Sequence, residues 1–237
     1  MSGQQRRRSA DEFLAELEQK PAFVERQRQR MADRAERRRS YEAAAAGLLA
    51  DLEAAGFHVE TLADLRRRGE EAQRALPALV KWLPDVTYAP LKRDLIATLG
   101  SRWARHVAAR PLIEEFCRID PNDDTAEASL RWSIGDALER VADETVLDDI
   151  IAIATDTRHG SHRGLVVTAL GNMGKARDRV VPVLLEVLRD EDVAGYAVMG
   201  LGKLRAREAR AAVEPFVRHR EAWVREEAKK ALARLNG

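Results

Sequence analysis

The sequence predicts an all-α fold, a row of stacked helix pairs behind a helical arm and cap, and three observations predict it. The first is a set of markers that move together. Leu99, Leu138, Leu170, Leu201 and Leu232 recur at steps of 39, 32, 31 and 31 residues. Seven places before them stand Lys92, Arg131, Arg163, Ala194 and Arg225, and Pro77, Pro111, Pro182 and Pro215 lie in the preceding segments. The second is that apolar residues within each period follow one face of a helix. The third is that no stretch shows the period-two alternation of a half-buried strand.

Taken in order, the chain opens with a helix signal, "SADE" at Ser9–Glu12, whose capping-box spacing is followed by Phe13, Leu14 and Leu17 on one face. Pro21 interrupts that helix, because a proline disfavours helical backbone in the residue before it. From Ala22 to Ala55 a single long helix is expected. Its first half is Arg, Gln, Glu and Ala with little to bury, whereas Tyr41, Leu48, Leu49 and Leu52 give the second half an apolar face that ends at Gly56. Residues 1–39 therefore read as a basic helical arm and 40–71 as a helical cap, since the open end of a repeat stack needs a cover.

Residues 72–237 read as about five helix pairs. In "VVPVLLEVLRDEDV" the residues Val180, Val181, Val183, Leu184, Val187 and Leu188 share one face, and Pro182 is expected in the first turn, where its missing N–H costs little. Asp190 and Asp192 are expected to make the turn and the cap. The following helix carries Ala197, Gly200, Leu201 and Leu204 at helical spacing. Gly200 and Gly202, each costing about 1 kcal/mol against Ala in a helix interior, imply close helix approach.

The phrases "VREEAKKALARL" and "HRGLVVTALGNMG" resemble the second helix of HEAT repeats, with Arg225 and Arg163 in the place of that family's frequent Arg. The resemblance covers residues 72–237. The spacing of Tyr88–Gly100 and of residues 102–142 departs from it, and Ala194 lacks the Arg. It implies a right-handed α-α superhelix, an α-solenoid whose commonest use is binding other macromolecules.

Composition narrows the function classes. The 237 residues are 45% hydrophobic, enough for a core, and 40 Lys and Arg nearly balance 39 Asp and Glu, which favours neither general nucleic-acid binding nor an acidic membrane surface. The balance is uneven, for residues 1–39 hold 11 basic and 7 acidic side chains. A single cysteine, Cys117, forms no internal disulfide and fits a reducing cytoplasm. No apolar run approaches the roughly 20 residues of a membrane span. No nucleophile elbow, phosphate loop, dinucleotide fingerprint or zincin motif is present, and no cofactor is expected.

Candidate binding residues fall in two places. In the arm, "ERQRQRMADRAERRRS" offers Arg28, Arg30, Arg37 and Arg38 to phosphate or to an acidic partner; the plainer reading is a solvated helix with ion pairs one turn apart. "LRRRGEE" at 65–71 has the same two readings. On the ridge of second helices, Arg131, Trp132, Arg163 and Arg225 line up from repeat to repeat as candidate partner contacts. The alternative for those arginines is pairing with the turn carboxylates Asp124, Asp156 and Glu221. Asp156, His159 and His162 have metal-type spacing, but Gly160 and Ser161 point to a surface loop. Trp132 with Asp136 admits an analogy of fold with DNA glycosylases built on such solenoids, and Cys117 admits one with bilin lyases. The leading expectation is a non-enzymatic scaffold or adaptor for a protein partner; the alternatives are a nucleic-acid-binding or glycosylase-like protein and an immunity-type inhibitor.

Overall fold

The computed structural model describes residues 20–121 and 128–236. The Ser9–Glu12 signal and Asp124 lie outside the described residues. All regular structure among the described residues is helical. The chain divides into two units, Met1–Ala46 and Gly47–Gly237.

Helix α1 (Pro21–Ala54) is continuous over 34 residues. Its Ala, Arg, Gln and Glu content has high helix propensity, and Pro21 occupies the first helical position, where no N–H is missed. It stops at Gly56, whose φ of +88° is the left-handed conformation glycine adopts without strain. There the Phe57 N–H reaches the Leu52 carbonyl and the Gly56 N–H the Glu53 carbonyl, both at 2.9 Å, a Schellman closure with Phe57 buried behind it. Within the first unit, residues 25–39 are exposed on every side of α1.

The second unit is a stack of helices. Thr61 and Asp64 form a capping box that starts α2 (Leu62–Arg67). Then come α3 (Leu76–Trp82), α4 (Ala89–Leu99), α5 (Ala109–Arg118), α6 (Ala128–Val141) and α7 (Leu147–Thr155). They are followed by α8 (Gly164–Leu170), α9 (Arg177–Val187), α10 (Ala194–Lys203), α11 (Arg210–Val213) and α12 (Ala222–Leu235). The even-numbered helices form one ridge, each packed on the next from α2 to α12, while α5, α7 and α9 pack against their own partners in the pairs. Leu99, Leu138, Leu170 and Leu201, the repeating leucines, are buried along that ridge.

Glycine sets the ridge spacing. A Cβ on Gly171 would lie 2.7 Å from the Gly200 Cα, and one on Gly202 would lie 2.9 Å from the Ala231 Cβ, so α8, α10 and α12 meet backbone to backbone. At the start of the unit, Gly47 leaves room for the Trp82 ring, and Asp51 accepts hydrogen bonds from Lys81 Nζ and Trp82 Nε1 at 2.8 Å each.

Two local expectations are corrected. Pro182 is the sixth residue of α9 rather than part of its first turn, because a 3₁₀ turn at Gly174–Ala176 starts the helix earlier; the proline is tolerated on the exposed side. Asp192 does not cap α10, which has no side-chain cap. Asp190 alone makes the turn, its Oδ1 accepting from the Asp192 N–H at 3.0 Å.

Candidate functional site

The recurring basic position faces inward. Arg131 and Arg163 are each 1% exposed and rank among the largest buried side chains. Arg131 donates to the Pro121 carbonyl at 3.0 Å, just past α5. Arg163 donates to the Ala154 carbonyl at 2.9 Å, at the end of α7, and its other terminal nitrogen pairs with Asp190 in the turn of the next repeat. Arg225 donates to the His219 and Arg220 carbonyls, both at 2.8 Å. Lys92 pairs with the buried Glu115.

The chemistry is shared. The last carbonyls of a helix have no partner within the helix and carry the negative end of its dipole, so a cation reaching them from the next helix satisfies both. The reading of Arg131 and Arg163 as partner contacts is therefore corrected by their burial, and Arg225 spends its guanidinium in the same way. Of the carboxylates considered, Asp124 lies outside the described residues, and the guanidinium groups of Arg163 and Arg225 bond other groups than the Asp156 and Glu221 carboxylates. Asp156 is taken by Arg158, at 2.7 Å, and Glu221 accepts from Trp223 Nε1 at 2.5 Å.

Trp132 remains on the surface of the ridge, and the structure adds three rings to it. Its ring lies 6.0 Å from His162 and 6.0 Å from Tyr196, and Tyr196 lies 5.1 Å from Trp223, all tilted rather than stacked face to face. Trp132 sits on α6, Tyr196 on α10 and Trp223 on α12. Two glycines make the row possible. A Cβ on Gly164, in the intervening α8, would collide with the Tyr196 ring, and a Cβ on Gly195 would collide with Trp223. With hydrogen there instead, Tyr196 leans back over α8 to meet Trp132, and Trp223 leans over α10.

Trp223 is 41% exposed, one of three large apolar side chains left in solvent among the described residues. Burial and the Glu221 carboxylate raise the Tyr196 phenol above its ordinary range, so it is a neutral hydroxyl at physiological pH. The sequence signal for Tyr196 and His162 is weak because neither occupies the same repeat position as Trp132; the signals that bear on the row are Gly164, which makes room for Tyr196, and Gly195, which makes room for Trp223.

The other candidates are placed apart from the row. Asp136, proposed beside Trp132 for catalysis, pairs with Arg140 at 2.7 Å. His159 packs on Phe116 at 5.0 Å whereas His162 belongs to the aromatic row, and no three His, Cys, Asp or Glu side chains converge among the described residues. Gly160, at φ +51°, breaks the 3₁₀ turn Thr157–Arg163, which is the expected loop. Burial, Asp149 and Asp156 push the Cys117 thiol up, away from the thiolate that covalent chemistry requires. In the arm, Arg38 pairs with Glu42 at 2.7 Å, Arg28 stands 4.0 Å from Glu25, and Arg30 and Arg37 are exposed.

No protein-family model matches the chain, and no curated protein matches it. Among solved structures, a designed armadillo repeat protein is similar at 16% identity and a TM-score of 0.44, over 74% of this chain and 90% of that one. The chain is an all-α helical-repeat protein. No helix among the described residues is long and apolar enough to cross a membrane.

Proposed function

We propose that the protein is a cytoplasmic, non-enzymatic adaptor of the HEAT kind that holds a protein partner on the row Trp132, His162, Tyr196 and Trp223. The HEAT assignment is supported by the two-helix period and by the buried arginine at the start of the second helices. The observation that carries the function is the row itself. Rings contributed by α6, α10 and α12, backed by glycines and reaching solvent at Trp223, form a preorganised apolar surface crossing several repeats. Large rigid side chains of this type lose little rotamer entropy on binding and dominate protein interfaces.

The test is retention of proteins from native cell extract on the full-length chain after nuclease treatment, repeated with Trp223→Ala and with Trp132→Ala. A discrete partner is expected to survive nuclease. Trp223→Ala is expected to weaken it by about 2 kcal/mol, roughly thirtyfold, as for a central interface aromatic. Unchanged affinity in both variants, with the fold intact, would remove the row from the function.

A further inference from the structure

The exposed half of α1 is predominantly basic, and its arginines include a row one turn apart. Residues 20–39 hold eight basic and three acidic side chains. Each acidic side chain is engaged with a neighbour: Glu25 and Glu36 stand roughly 80–100° around the axis from Arg26, while Asp33, three places after Arg30, borders the arginines. Glu25 stands 4.0 Å from Arg28, Glu36 holds Arg39 at 2.5 Å, and Asp33 accepts from Gln29 at 2.7 Å; beyond them, Glu42 holds Arg38 at 2.7 Å. Arg26, Arg30 and Arg34 are left at successive i, i+4 positions, which advance only about 40° around the axis and about 6 Å along it at each step. Arg37 falls in the same arc. Arg26 gives only its Nε, to the Ala22 carbonyl at 3.0 Å, and Arg30 and Arg34 have no side-chain partner among the described residues. All three are exposed.

Like charges one turn apart repel and destabilise a helix by about 0.2–0.5 kcal/mol per pair. A linear row of them gains most from an anion that is itself linear and repeating. We propose that Arg26, Arg30 and Arg34 form a binding stripe for the phosphate backbone of nucleic acid. Guanidinium groups bond phosphate oxygens bidentately, and a duplex presents such oxygens continuously, about one charge per 1.7 Å of axis. An acidic protein surface is disfavoured by what surrounds the stripe. Protein interfaces are centred on buried apolar anchors, and Met31, 71% exposed, is the one large apolar side chain between residues 25 and 39. Phosphate binding needs no such anchor. The contact reads charge rather than sequence, and it is independent of the aromatic row.

The experiment is fluorescence anisotropy of a labelled random 20-base-pair duplex and the matching single strand with the full-length protein. Three phosphate contacts are expected to lower duplex affinity roughly fortyfold between 50 and 200 mM salt. The triple variant R26Q/R30Q/R34Q is expected to lose binding, and R28Q/R38Q/R39Q, which removes the same charge from the other faces, to keep it within about twofold. Circular dichroism of both variants reports whether α1 is retained. Equal loss in both triples would reduce the effect to net charge and overturn the stripe. Polyglutamate that displaces the duplex at equal charge concentration would overturn nucleic acid in favour of an acidic protein surface. Salt-insensitive binding would overturn the phosphate contacts altogether.

Discussion

Arg163 shows how one side chain sets the relation between repeats. Its guanidinium closes the end of α7 through the Ala154 carbonyl and reaches Asp190 in the following turn. Arg163→Ala leaves a buried carbonyl unsatisfied, and urea denaturation is expected to show a loss of about 1–3 kcal/mol, the usual cost of such a group. Asp190→Asn is expected to cost less, since Asp190 is partly open to water. His159, close by, sets a pH response. Burial, together with the nearby Arg131, Arg158 and Arg163 cations, lowers its pKa from the ordinary value near 6.5, against the opposing pull of Asp156. Below that value the unfolded chain takes up a proton that the folded chain resists, so stability is full above about pH 6.5 and falls as the solution is acidified through it. Urea midpoints at pH 7.5 and 5.5 are expected to differ, with a smaller difference for His159→Phe. Asp156 acts lower on the scale. Held at about 2 chiefly by its hydrogen bonds from Arg158, its contribution is present above the unfolded pKa near 4 and is lost as pH falls toward 2.

For whole helices, the decisive distances are those between glycines and their neighbours. Gly171→Ala puts a methyl against the Gly200 backbone, which cannot rotate away, so α8 and α10 must separate. Thermal unfolding is expected to show a loss of about 1–3 kcal/mol from overpacking, outweighing the helix propensity gained. Gly164→Ala is expected to act differently: its methyl meets the flexible Tyr196 ring, so partner binding weakens more than stability does. That contrast marks how much the sequence makes legible. Helix pairs, their period and the long α1 follow from apolar spacing, because each residue's own neighbours dictate them. The start of α9 did not follow, since it depends on a 3₁₀ turn rather than on Pro182. The direction of Arg131 and Arg163 did not follow either, because the same residue at the same register serves a partner or a helix end according to burial, which only packing decides. Trp132 was found and Tyr196 was not, as their meeting depends on the absent side chain of Gly164 in the helix between them.

Across the chain, the two units described are different kinds of surface. One is a charged helix with almost nothing to bury; the other is a core whose densest helix, α8, has every residue but Leu165 buried. In a stack where each repeat leans only on its neighbours, the middle opens last. Amide hydrogen exchange is expected to be slowest in α8 and α10, faster in α12, and fastest in residues 25–39 of α1. Uniform protection from α2 to α12 would instead indicate one all-or-none unit. The aromatic row also has an optical consequence. Trp132 and Trp223 are two of only four tryptophans in the chain, and the Tyr196 ring centroid lies 6.0 and 5.1 Å from theirs, close enough for resonance energy transfer to both. Anything that settles on the row takes water away from Trp223, and its emission moves to the blue. The protein therefore carries an intrinsic fluorophore at the place where occupancy is to be measured, and titration needs no label.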